Sequence, residues 1–204
     1  MNEYELYHHG IKGMKWGVRR YQNADGSLTS AGKRRYDVEN ARAEVKKERV
    51  KLAEARNAAT VSGNLKAFAG VTGVGIKRIQ NYQEKSKYHD KNMYKLRKAS
   101  ENYKKADQKL AIAKAEQKVE KHRGNEKKEF KAYRKEMQKY GLRGSARDVQ
   151  TGDKATALYN HISTQKGKAY ADRVEKSVQN RAFAQLAAGT AVLAGTLYLQ
   201  SRGY

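Results

Sequence analysis

Proline and cysteine are both missing from the 204 residues. Proline breaks helices and stiffens loops, so its absence, with 32% of residues charged, favours long uninterrupted helices over a loop-rich or all-β fold. Without cysteine there are no disulfides, thiolate metal sites or thiol nucleophiles, which fits a reducing compartment. Large apolar side chains are scarce too. There are three phenylalanines and one tryptophan, and alanine and tyrosine make up much of the 38% hydrophobic share. A large single core is therefore not expected. The predicted class is all-α, with long basic helices that pack through narrow, coiled-coil-like seams. The last shortage is of acid: 21 Asp and Glu face 44 Lys and Arg, a formal charge of +23. Such a field attracts polyanions: nucleic acid, anionic lipid or an acidic protein surface.

Catalytic patterns are missing as well. His8, His9, His89, His122 and His161 include no i, i+4 pair with an intervening Glu of the kind zinc proteases use. "GVTGVGIKR" lacks the G-x-x-x-x-G-K-[ST] order of a phosphate loop, and there is no G-x-S-x-G elbow. The expectation is a non-enzymatic protein without cofactor or metal. Glu3 and Glu5 open the chain and no apolar run follows, which predicts no secretory signal and synthesis ending in the cytoplasm.

The organisation is read from periodicity. Thr29 or Ser30 can cap a helix beginning near Lys33, on which Val38, Val45, Leu52 and Ala59 recur every seven residues with Ala41 and Ala55 between them. "VSGN", Val61 to Asn64, is expected to loosen that helix. The uncharged "AFAGVTGVGI" that follows lies in an apolar segment, residues 65–79, too short to span a bilayer and suited to a buried helix contact or an interfacial position. Leu96, Ala99, Tyr103, Ala106, Leu110 and Ala113 keep an a/d rhythm, and Phe130, Tyr133, Met137 and Tyr140 resume it in another phase. The break falls at "HRGN", residues 122–125, where Gly124 and Asn125 tolerate a left-handed cap. An αα-hairpin is the simplest outcome, and one bent helix the alternative. These helices form a basic region, 33–140. A glycine-rich linker covers 141–152, after which Thr151 or Asp153 can cap a short helix carrying Ala157, Leu158 and Ile162. A final helix runs through Tyr170, Val174 and Val178, completing a C-terminal region, 153–204.

That helix ends in an uncharged stretch, Ala182 to Gln200, about 28 Å long at 1.5 Å per residue and close to the roughly 30 Å of a bilayer's hydrocarbon. Phe183, Leu186, Val192, Leu193 and Leu197 favour lipid, while Gly189 and Gly195 offer a small-residue face for helix packing. Membrane contact and burial in a homo-oligomer both stay open.

The densest information lies near the start, in "YHHGIKGMKWGVRRYQNADGSLT", residues 7–29. Asp25-Gly26 fits a reverse turn that needs positive φ, and glycines at 10, 13 and 17 let a short backbone fold around Trp16. Residues 1–32 thus read as a small turn or hairpin module. Its bland role is to cap the next helix. Its functional role is docking, with Trp16 as anchor, Met14 and Tyr21 beside it, and Arg19 and Arg20 as orienting charges. "HHGIKGMKWGVRRYQNADGSLTSAGKRRY", residues 8–36, resembles a module near the N-termini of structural and head-associated proteins of tailed bacteriophages and prophages of Gram-positive hosts. Ser30 stands where that pattern often has proline. The resemblance implies virion association and other phage structural proteins as partners; the missing signal predicts a host cytoplasm setting before assembly, and the C-terminal stretch leaves the host membrane open. It carries no catalytic residues. With the charge it leads to one reading, a virion protein touching packaged DNA or the inner capsid. The alternative is a membrane-active phage protein that inserts its C-terminal helix and grips anionic membrane.

Overall fold

A computed structural model describes residues 21–23 and 25–201, with the side chains of 186 and 188–201 outside the description. Among these residues the fold is all-helical: α1 (Ser30–Val71), α2 (Ile76–Glu120), α3 (Glu126–Tyr140), α4 (Ala146–Gln150), α5 (Lys154–Lys166) and α6 (Lys168–Ser201). The expected turn is present. Gly26 takes φ +81°, Asn23 N–H donates to the Ser27 carbonyl at 2.7 Å, and Gln22 forms an isolated antiparallel bridge with Leu28.

α1 starts at Ser30 rather than near Lys33, because the Thr29 hydroxyl accepts from the Gly32 amide at 3.1 Å and closes the first turn there. It then runs for 42 residues, about 63 Å. Its seam follows the seven-residue rhythm: Val38, Ala41, Leu52 and Ala59 are buried, and Val45 and Ala55 half-buried. "VSGN" does not loosen the helix. Ser62 is fully buried at a seam position, donates to the Ala59 carbonyl at 2.9 Å, and lies 3.0 Å from His89 Nδ1 on α2. A hydroxyl small enough for the narrow interface, with its proton used locally, keeps the helix continuous.

α2 folds back along α1 as an antiparallel partner, and the two form one long stem. Ser62 with His89 near one end and Glu44 with Lys109, 2.9 Å apart, nearer the other set the register. The rhythm from Leu96 to Ala113 faces α1 and continues backwards through Asn92 and His89. The rest of the chain gathers on the C-terminal part of α2. Ala115 and Val119 of α2, Tyr133 and Met137 of α3, Leu158 and Ile162 of α5, and Val174 and Val178 of α6 form the main core. The break at 121–125 makes an αα-hairpin of α2 and α3, with Gly124 at φ +83° and the Asn125 side chain accepting from the Lys128 amide at 3.1 Å. Asn125 is thus an extended N-cap of α3 rather than a left-handed residue.

The 141–152 stretch holds α4, and its Asp148 supplies the cap expected of Thr151 or Asp153. Buried Asp148 Oδ1 accepts from the Ala155 amide at 2.8 Å, while Asp153 sits in a left-handed conformation without a side-chain cap bond. α6 passes through the core at Tyr170, Ala171, Val174 and Val178 and then leaves it: the described side chains of 179–185 and Ala187 are all exposed.

The stem's polar seam residues carry a testable cost. Asn92 is buried with Nδ2 lacking a hydrogen-bond partner among the described residues, and such a donor destabilises by about 1–3 kcal/mol. Asn92→Leu, close in volume, should raise stability by about 1 kcal/mol in a thermal melt. An unchanged or lowered melting temperature would show that the amide is satisfied in solution.

Candidate functional site

Two features of the helices carry chemistry, one inside and one outside. The inner one centres on Glu116 of α2, buried at the base of the stem. Its Oε1 accepts from the Tyr133 hydroxyl of α3 at 2.7 Å and from His161 Nε2 of α5 at 2.8 Å, and its Oε2 lies 3.1 Å from a guanidinium nitrogen of Arg34 on α1. Burial pushes this carboxyl up, but the bonds from His161 and Tyr133 and the charges of His161 and Arg34 outweigh it and hold the group below the ordinary glutamate value. Tyr133 is driven far above the usual phenol range, first by burial and then by its bond to Glu116. Bonded on both oxygens by groups from three other helices, Glu116 makes a structural joint.

Three more buried acids act similarly. Glu136 pairs with Lys118 and with Lys139, the latter at 2.8 Å. Glu129 accepts from Lys166 at 3.0 Å and from the Gly124 amide at 2.9 Å, which hold its pKa low. Asp148 ties α4 to α5 through Ala155 and Thr156. Among the described residues no group of three or more His, Cys, Asp or Glu could hold a metal ion.

The outer feature follows from the seam. Once His89, Asn92, Leu96 and Ala99 are placed against α1, residues 87, 91, 95, 98 and 105 fall within about 80° of one another on the side away from it. All five are lysines; exposed Asn102 shares the arc, exposed Tyr94 lies at its edge, and Asp90 and Glu101 run along that border. Over about 27 Å of helix none of these lysines forms an ion pair with a described residue. Arg42, Lys46, Lys47 and Arg49 of α1 are likewise unpaired among the described residues. The lysine face was not singled out from sequence, because lysine is spread over the whole chain. The phase of these positions relative to the seam is the signal that finds it.

Of the residues assigned to docking, Met14, Trp16, Arg19 and Arg20 lie outside the described residues. Tyr21 is described: its carbonyl accepts from the Thr29 amide at 2.9 Å, and the Arg35 guanidinium lies 5.2 Å from its ring. Gly32 makes this seat possible, since a Cβ there would meet the Tyr21 carbonyl oxygen at 2.4 Å. At the other end Phe183 is exposed on α6. Gly189, Val192, Leu193, Gly195 and Leu197 lie on the same helix, but their side chains and that of Leu186 are outside the description. Among the described residues no helix is long and apolar enough to cross a membrane, a statement that does not extend to those side chains.

This geometry defines an all-helical class: a long basic hairpin braced at its base by a small bundle. Comparison with known proteins adds one match. A family model described as a family of unknown function (DUF7211) matches residues 2–23, which contain the sequence-assigned docking residues and end before α1. No curated protein matches the chain, and neither does any solved structure.

The Glu116 joint predicts an acid sensitivity. A carboxyl whose folded pKa is depressed contributes stability that is complete above its unfolded value, about 4.3, and is lost as pH falls through the lower folded value. Glu116→Ala should cost about 2–3 kcal/mol near neutral pH, since it strands the Tyr133 hydroxyl and the charge of Arg34. The loss should shrink below pH 4 in chemical denaturation. A pH-independent loss would assign the effect to packing alone.

Proposed function

We propose that the protein is a non-enzymatic, phage virion-associated structural protein that binds nucleic acid without sequence preference through the lysine face of α2 and docks to other structural proteins through its N-terminal module. The observation that carries the reading is the line of Lys87, Lys91, Lys95, Lys98 and Lys105, unpaired among the described residues and about 27 Å long, comparable to most of a turn of duplex DNA. A line of flexible ammonium groups recognises phosphates as point charges and reads no bases. Exposed Tyr94 adds a ring that can stack against an unpaired base. The virion setting comes from the resemblance of residues 8–36 to phage head-associated modules, whose partners would be packaged DNA or the inner capsid. The exposed start of the uncharged stretch on α6, with Phe183 outward, supports association between copies of the chain through its small-residue face. The same stretch is the part that would enter a host membrane in the membrane-active alternative.

Binding to duplex DNA should be sequence-independent, with log K falling against log salt at about −0.9 per phosphate contacted. Lys91→Gln with Lys98→Gln should flatten that slope by about 2 and leave the melting temperature unchanged, because neither lysine holds a described ion pair. A salt-insensitive affinity, or a slope the double variant does not alter, would remove DNA from the account.

Mass spectrometry of purified particles checks the virion assignment separately. The chain is expected among the particle proteins in several copies, and its appearance only in the soluble lysate would make it a late-expressed effector instead.

A further inference from the structure

The far end of the stem, where α1 turns into α2, is built unlike the rest of the molecule. Phe68, Val71, Val74 and Ile76 are 66%, 77%, 89% and 75% exposed, and Leu65 and Ile79 are exposed beside them. They crown a convex end that projects away from the core, because α3 to α6 pack on the opposite part of α2. No acidic residue occurs between Glu54 and Glu84, whereas Arg56, Lys66, Lys77 and Arg78 do. The tip is therefore apolar at its summit and purely cationic around it. Lone exposed apolar side chains are ordinary, but a cluster of this size at a protruding end marks a contact surface.

The turn at the tip is held by bonds from within the chain. The Phe68 carbonyl accepts from both the amide and the hydroxyl of Thr72, at 3.0 Å and 3.1 Å. The Gly70 carbonyl accepts from the Arg78 guanidinium, through Nε at 2.7 Å and through the adjacent terminal nitrogen. Helix ends leave their last carbonyls without partners; here the Thr72 amide makes the ordinary last helical bond to Phe68, and the Gly70 carbonyl beyond it is answered by Arg78. Gly73 and Gly75, at φ +94° and +58°, let the chain reverse within four residues.

We propose that this tip inserts into the headgroup and upper acyl region of an anionic lipid bilayer. Charge complementarity selects that occupant. Lipid phosphates would meet Lys66, Lys77 and Arg78, while the bilayer interior takes up protruding apolar side chains of any arrangement. A second copy of the tip would bring like charges together. The insertion is interfacial and uses residues separate from the α2 lysine face and from the α6 stretch.

The natural absence of cysteine allows a single site-specific probe. Val74→Cys carrying an environment-sensitive fluorophore should shift to shorter wavelength and brighten several-fold on mixing with phosphatidylglycerol/phosphatidylcholine vesicles, and respond to neither pure phosphatidylcholine nor duplex DNA. Unlabelled protein should float with the anionic vesicles. Val74→Asp with Ile76→Asp should cut that binding by at least about tenfold, with melting temperature and DNA affinity unchanged. Phe68→Ser, a milder change, serves the same purpose if the double variant does not fold. Absence of flotation overturns the proposal. Flotation without a probe response also overturns it, since lipid is then held by another surface. A probe response that grows with protein concentration in the absence of vesicles overturns it in favour of tip-to-tip association.

Discussion

Removing a carboxylate from water costs several kcal/mol unless its charge and its lone pairs are both answered, and Glu116 is buried where four helices meet. Each answering group comes from a different helix: Arg34 from α1, Tyr133 from α3, His161 from α5. The arrangement of the protein depends on this joint because the apolar contacts alone are thin. The stem packs largely through alanine, with Val38, Ala41 and Leu110 as its buried apolar cluster outside the main core among the described residues. Alanine seams bring helices close but discriminate poorly between registers, and a charged joint with directional bonds supplies the discrimination. Farther along the stem, Ser62 against His89 acts in the same sense, as a directional polar contact made only in this register.

The same economy explains the outer surface. Acidic residues are few, and several of them are occupied indoors or at joints: Glu116, Glu129, Glu136 and Asp148 in the bundle, and Glu175 in a bidentate pair with Arg143. Acids bound to structural tasks cannot neutralise distant lysines. The positive excess therefore collects on the distal stem, where α2 from Ile76 to Arg97 contains Glu84 and Asp90 as its only acids. A basic composition becomes a basic face because the fold consumes its carboxylates at one end.

Much of the helical scheme was legible in the chain because side-chain period is a local property. The heptads from Val38 to Ala59 and from Leu96 to Ala113 both face the seam. The pattern failed to announce its own continuation, since Ser62, His89 and Asn92 occupy seam positions with polar side chains and interrupt the apolar rhythm there. Reading "VSGN" as a loosening followed from that. Asp148 escaped notice for a different reason: it caps α5 from seven residues before Ala155, a partnership made by the fold of α4 and invisible to helix-start rules that look only at adjacent positions. The lysine face is an intermediate case. Its residues are plain in the sequence, but their common side is defined only after the seam sets the helix phase.

The stem then acts as a spacer between unlike ends. Its base is fixed by Glu116 and the bundle, its tip is apolar, and the lysines lie between them on the side turned away from α1. An α-helix of 42 residues holds its two ends about 63 Å apart, several Debye lengths at physiological salt, so charges gathered near one end do not reach groups bound at the other. Contacts at the base and at the tip are in that sense electrostatically independent. What joins them is the mechanical continuity of two helices that contain no proline: α1 carries Gly32, Gly63 and Gly70 without a break, and the positive-φ Gly73 and Gly75 lie at the turn, where continuity is not required.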